Sequence, residues 1–145
     1  SRLSLDREEL RLTPGGGRRL RTASLPPLLV RHAHLDLRRA ALDDVANPIV
    51  GSTQSVGRWW STPLQFLFLD GNHTEDVAQH DYSAFAKHVV GGGILAVHDV
   101  FPDPADGGQP PWHVVQRAVD SGAFEQTSVT DSLRILRRIN GAEFS

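Results

Sequence analysis

Two apolar runs, each ending in polar groups able to bind a metal or move a proton, constrain the fold of this chain most strongly. The first is Phe66-Leu-Phe-Leu-Asp70-Gly-Asn-His73 and the second is Gly91-Gly-Gly-Ile-Leu-Ala-Val-His98-Asp99. The segment between them has the apolar spacing of a helix. This layout is typical of neighbouring parallel strands in an open α/β sheet, where ligands bind beyond the carboxyl ends of the strands. We therefore expect the polar side chains of both runs to converge at one edge of the sheet: Asp70, His73, His98 and Asp99.

Composition excludes several function classes. The 145 residues suit one domain, and a formal net charge of −2 gives no reason to expect a nucleic acid or an anionic membrane as partner. The chain has no cysteine, which excludes a disulfide framework and thiolate chemistry. No apolar run is long enough to cross a bilayer, and Leu25 to Val30 is too short and too rich in proline for a signal peptide. We expect a cytoplasmic protein.

The chain divides by composition near residue 40. Residues 1–40 are polar and rich in arginine, and we interpret them as an N-terminal segment whose structure the sequence leaves undetermined, with a helix from about Leu35 to Val45. Gly15 to Gly17 is not interpreted as a phosphate loop, because no hydrophobic strand precedes it. Residues 41–145 carry regular signals and are interpreted as the C-terminal part of one domain.

The second region alternates strand and helix signals. An unbroken apolar strand suits a parallel sheet covered on both faces, and the two-residue turn Asp131-Ser132 predicts an antiparallel final pair. Gly91 to Gly93 is expected to stop the helix that begins near Thr74. In chain order we predict strand Asn47 to Val50, helix Val56 to Trp60, strand Leu64 to Leu69, helix from Thr74, strand Ile94 to Val97, loop Phe101 to Pro111, helix to Gly122, and strands Phe124 to Thr130 and Leu133 to Ile139.

This order resembles the second half of a class I S-adenosylmethionine-dependent methyltransferase, from about Leu42 to Arg138. It is most similar to metal-dependent O-methyltransferases of the catechol O-methyltransferase kind and their bacterial Asp-Gly-x-His relatives. The resemblance implies an α/β, Rossmann-like methyltransferase fold with a mostly parallel sheet, an antiparallel last strand and an incomplete N-terminus. It also implies S-adenosylmethionine and a divalent metal, manganese or magnesium, as cofactors, and O-methylation of a small hydroxylated molecule.

The resemblance assigns roles to residues of this chain. Gly51, Ser52, Thr53 and Gln54 stand where the family contacts the adenine, and Asp70 is counted with these cofactor-binding residues. Asp70, His98 and Asp99 stand where the family holds its metal. His73 stands where a basic residue, often lysine, takes the proton of the substrate.

The residue types suit this chemistry. Methyl transfer from a sulfonium is an in-line displacement, so a site must position a nucleophilic oxygen and help to remove its proton. A divalent ion held by Asp70 and Asp99 would acidify a bound hydroxyl group. His73 can accept that proton near neutral pH, since histidine has an unperturbed pKa of about 6.5. His98 in the donor set moves the expected metal away from magnesium alone, because imidazole suits manganese, iron or zinc better.

The sequence leaves two other functions open. The chain lacks the first strand, the glycine turn and the acidic strand end that the family uses for the methionine and ribose of its cofactor, so a catalytically silent methyltransferase-like remnant or interaction domain is one alternative. Gly71-Asn-His73 also resembles an element of calcineurin-like metallophosphoesterases, although the other motifs of that family do not occur here. An unpaired sheet edge would favour a homo-oligomer.

We predict that the chain as given binds S-adenosylmethionine weakly or not at all. Hydrogen bonds to charged groups are each worth about 1.5–3 kcal/mol, and about 1.4 kcal/mol is a tenfold change in affinity. Losing the contacts to ribose and amino acid should therefore weaken binding by several powers of ten. Isothermal titration calorimetry measures this directly. A micromolar dissociation constant would show that residues 1–40 build the missing half-site.

Overall fold

The computed structural model describes residues 35–71 and 74–141. The chain forms two compact units, Ser1–Val50 and Gly51–Ser145. In the described part of the chain, no helix combines the length and apolar character that a membrane crossing requires.

The described part of the first unit is short and mostly exposed. Residues 35–39 form one helical turn, which ends where Ala41 adopts a left-handed conformation with φ of 54°. The predicted helix from Leu35 to Val45 is thus too long, because the segment has no apolar stripe to bury. The predicted strand Asn47 to Val50 is wrong, since residues 46–50 have no regular structure. Pro48 lacks the N–H that a strand would donate to a neighbour.

The second unit contains a four-stranded sheet. Its strands are β1 (Leu64–Leu69), β2 (Val89–Val97), β3 (Phe124–Thr130) and β4 (Leu133–Arg138), in the spatial order β1-β2-β4-β3. β1 and β2 pair in parallel, whereas β4 is antiparallel to both β2 and β3. Three of the four strands therefore run in one direction and the last strand runs against them. This confirms the predicted Rossmann-like α/β arrangement and the final antiparallel pair.

The described residues of the same unit form three α-helices, namely α1 (Thr53–Gly57), α2 (Glu75–Phe85) and α3 (Pro110–Asp120). α1 begins earlier than predicted because the Ser52 side chain caps it, accepting a hydrogen bond of 3.1 Å from the backbone N–H of Ser55. Proline occupies the first turn of α3, and Gly122, with φ of 69°, follows its end. The proline and Gly122 thus mark the start and the end of α3, as predicted.

The glycine run Gly91 to Gly93 has a different role from the predicted one. α2 ends at Phe85 and a 3₁₀ turn, Ala86–His88, leads directly into β2. Gly91 to Gly93 therefore belong to the strand, where the pairing with β1 jumps from Leu64↔Val89 to Phe66↔Ile94. A Cβ atom on Gly93 would lie 2.9 Å from the carbonyl oxygen of Val90. Glycine permits this bulge, since a side chain would collide with the folded-back backbone.

The core lies between the sheet and the helices α2 and α3. Its largest fully buried side chains include Tyr82 from α2, Leu95 from β2, Phe124 from β3 and Leu136 from β4. β1 contributes Leu64, Leu67 and Leu69 to this side. The alternate residues Phe66 and Phe68 are 58% and 48% exposed, so the expectation that both faces of this strand are covered is wrong at these positions.

We predict that Gly57→Ala destabilises the protein by about 1–3 kcal/mol, the usual cost of overpacking. A Cβ atom on Gly57 would lie only 2.6 Å from the Cβ of Ala84, where α1 packs against α2. Urea unfolding measures the change. Gly51→Ala is the matched control, because the nearest neighbour of its added Cβ is at an ordinary 3.4 Å. Equal stability of the two variants would contradict the tight packing of α1 on α2.

Candidate functional site

The parallel pairing of β1 and β2 places two of the predicted site residues side by side. Leu69 is the register partner of Val97, and the ladder continues one step further, where the backbone N–H of His98 donates to the carbonyl oxygen of Leu69 at 3.0 Å. Asp70 and His98 thus lie side by side, each directly after the end of its strand. The Nδ1 atom of His98 lies 3.2 Å from Oδ1 of Asp70.

Asp99 joins this pair through an unusual backbone conformation. Consecutive residues of an extended strand point to opposite faces of a sheet, so Asp99 would normally point away from His98. Asp99 instead has φ of 54°, in the left-handed region. Its Oδ1 atom lies 3.2 Å from Nδ1 of His98. The next backbone N–H, that of Val100, donates to the carbonyl oxygen of Ser132 at 2.9 Å and anchors the turn to the β3–β4 hairpin.

The three side chains form a compact donor set, called here the rim cluster (Asp70, His98, Asp99). One ligand atom from each lies within 4.8 Å of the others. The side chains are 45%, 40% and 35% exposed respectively, so solvent reaches them. Metal–ligand bonds of about 2.0–2.2 Å place neighbouring ligand atoms about 3 Å apart, which is close to the two 3.2 Å separations observed here. Two carboxylates and an imidazole are a donor set suited to manganese, iron or zinc.

A cleft of about 430 Å³ lies beside the rim cluster, on the β1 side. Thr53 at the start of α1 and Asp70 at the end of β1 both line it, and Trp60 and Phe85 form an apolar wall with ring centroids 5.9 Å apart. Of the four residues assigned to the adenine, Thr53 reaches the cleft wall, while Ser52 caps α1. Gly51 and Gln54 are exposed beside them. The volume falls within the range of about 300–1,000 Å³ that is usual for ligand pockets.

The sequence analysis missed Asp81, which lines both this cleft and a smaller cavity beneath the rim cluster. Its side chain is buried, with 9% of the residue exposed. A sequence signal did exist, because Asp81 lies three residues after Ala78 and four before Phe85, on the apolar face of the predicted helix. A charged residue at such a position is rarely buried without a partner.

Polar contacts between α2 and α3 hold the helices below the rim. Nδ1 of His113 lies 2.8 Å from Oε2 of Glu75, and this hydrogen bond holds the pKa of the Glu75 carboxyl below its usual value. Arg117 donates to Oε1 of Gln79 and to the hydroxyl of Ser83, both at 2.9 Å. These contacts tie the two helices together from Glu75, the first residue of α2, to Ser83 near its end.

His73, the predicted proton acceptor, lies outside the described residues, as do Asn72 and the Gly15 to Gly17 run. The role of His73 therefore stays a prediction from the sequence.

Among the solved structures that share this fold are two methyltransferase-type proteins. One, from Clostridium thermocellum, is assigned as an rRNA methylase, with a TM-score of 0.57, 14% identity, and coverage of 79% of this chain and 69% of that one. The other is an O-methyltransferase family protein from Burkholderia thailandensis, with a TM-score of 0.58 and 16% identity over 79% of this chain. The chain spans 42% of the length of the second protein. At such identities the likeness establishes the fold.

A family model described as a methyltransferase domain matches residues 11–100, which is more than half of the 145 residues. The matched range contains α1, β1, α2, β2 and the whole rim cluster. It begins upstream of Leu42, where the resemblance in the sequence analysis began. Because this family model matches more than half of the chain, the chain belongs to the methyltransferase domain family.

Proposed function

We propose that this domain serves S-adenosylmethionine-dependent O-methylation of a small hydroxylated molecule with the help of a divalent metal. The observation that carries the proposal is the rim cluster, which combines a metal-binding donor set with an adjacent cleft of ligand size. Family membership supports S-adenosylmethionine as the methyl donor. The donor set supports the metal, and the two together favour oxygen as the methylated atom, because a metal acidifies a hydroxyl group.

In this proposal the residues of the chain divide the work between them. Asp70, His98 and Asp99 hold the ion, which would lower the pKa of a bound hydroxyl group. Thr53, with Gly51, Ser52 and Gln54 beside it, contacts the adenine at the far end of the cleft. His73 takes the proton of the acceptor hydroxyl group, so the methyl group is transferred to a deprotonated oxygen.

A groove beside the segment that follows Asp99 offers room for the acceptor. It has a volume of about 550 Å³ and runs between this segment and the β3–β4 turn, lined by Phe101, Asp106, Ser132 and Arg134 among others. Val100, which follows Asp99 directly, also lines this groove, whereas Asp70 lines the cleft. The mixed polar and apolar lining favours a small hydroxylated acceptor.

The metal component predicts a stabilising effect of manganese. A ligand that binds only the native state stabilises it by mass action and so raises the melting temperature. At a ligand concentration of one hundred times the dissociation constant, the free energy of unfolding rises by about 2.7 kcal/mol. We expect millimolar Mn²⁺ to raise the melting temperature of the wild-type chain and to have little effect on Asp70→Ala. Differential scanning fluorimetry measures both. The exposed carboxylate of Asp76, changed in Asp76→Asn, is the control that should keep the wild-type response. No shift in the wild type would remove the metal from the proposal.

The proton-acceptor role of His73 predicts a loss of turnover. His73→Ala should lower kcat by about 10²–10⁴-fold, the usual contribution of a general base, while the affinity for S-adenosylmethionine changes little. Methyl transfer from labelled S-adenosylmethionine to a catechol-type acceptor with Mn²⁺ is the assay, carried out on a form of the protein that turns over, with the upstream cofactor-binding region restored where the chain as given binds no S-adenosylmethionine. His80→Ala, a histidine on α2, is the matched control and should keep wild-type turnover. A His73→Ala protein as active as the control would exclude His73 from the mechanism.

A further inference from the structure

Asp81 is a buried carboxylate that the proposed mechanism does not use. It lies on α2, and 9% of the residue is exposed. Its Oδ1 atom is fully enclosed and has no hydrogen-bond partner in the described part of the chain. Burying a carboxylate without a hydrogen-bond donor is costly, so the arrangement calls for a partner other than the side chains and backbone groups that the structure describes.

The surroundings of Asp81 identify where such a partner would sit. Asp81, Leu69, Asp70 and Gly71 line both the large cleft and a small cavity of about 30 Å³. A cavity needs roughly 10–15 Å³ to hold one water molecule. The small cavity is therefore large enough for a water, and its polar lining consists of Asp70, Asp81 and His98.

The strand end and the carboxylate are close in space. A Cβ atom on Gly71 would lie 3.4 Å from Oδ2 of Asp81, so the backbone that follows Asp70 packs directly against this carboxylate. A donor in the cavity can thus reach Asp81 and the rim cluster at once.

We propose that Asp81 is a positioning residue, which holds a water molecule in the small cavity and through it orients Asp70 and His98. The water donates one O–H to the carboxylate of Asp81 and the other to Asp70. Partners of this kind fix the orientation of metal ligands, and their loss typically weakens metal binding by about 10–100-fold. The effect on metal binding rests on the proposed function, whereas the bound water does not.

The test compares Asp81→Leu and Asp81→Asn with wild type in the full chain. Leu keeps the branched heavy-atom skeleton of Asp and removes the buried carboxylate, so the metal-free melting temperature should stay level or rise. The affinity of the Asp81→Leu variant for Mn²⁺, measured by calorimetry, should fall by about 10–100-fold. Asp81→Asn keeps one acceptor oxygen and should lose less affinity. Asp76→Asn, on the exposed first turn of the same helix, should bind Mn²⁺ as the wild type does.

Two results would overturn the proposal. One is Mn²⁺ affinity in Asp81→Leu equal to that of the wild type, in a series where Asp70→Ala has lost binding. The other is a metal-free crystal structure of the wild type in which no water lies within about 3.2 Å of both Asp81 and Asp70. A wild-type chain that binds no Mn²⁺ would instead refute the metal of the proposed function, and the crystal structure would still decide the role of Asp81.

Discussion

The parallel pairing of β1 with β2 is the interaction on which the candidate site depends. The hydrogen bond from the backbone N–H of His98 to the carbonyl of Leu69 sets the two strand ends level, so Asp70 and His98 face each other. A shift of the register by one residue would turn every side chain of a strand to the other face. The register partners Leu67 of β1 and Leu95 of β2 both pack in the core and hold the register against such a shift, because a shift would expose a core side chain.

The packing of α1 on α2 joins the cleft to this sheet. Gly57 lets the two helices approach closely, and Trp60 and Phe85 close the apolar wall of the cleft behind them. The segment that carries Thr53 is therefore positioned by α2, which also carries Asp81. The two ends of the cleft thus depend on one helix, and a disturbance of α2 would affect both.

The sequence predicted the parts of the fold that depend on local patterns and on the geometry of parallel strands. Alternation of strand and helix signals located β1, α2, α3 and the β3–β4 hairpin, and the strand ends identified the rim cluster. The strand at Asn47 failed because two apolar residues after a proline are a weak signal. Gly91 to Gly93 were misinterpreted because glycine ends helices and also permits bulges, and only tertiary packing distinguishes the two. Asp81 was missed because the apolar stripe of α2 was assigned from its hydrophobic members alone.

The left-handed conformation of Asp99 restricts which residue types can occupy position 99. Asparagine, aspartate and glycine adopt this region readily, whereas most other residues pay about 1–2 kcal/mol for it. Glycine would satisfy the backbone and remove the proposed metal ligand, and glutamate would supply a carboxylate on a backbone that resists the turn. Under the proposed metal site, position 99 therefore has a narrow set of solutions, since its residue has to meet a conformational and a chemical requirement at once.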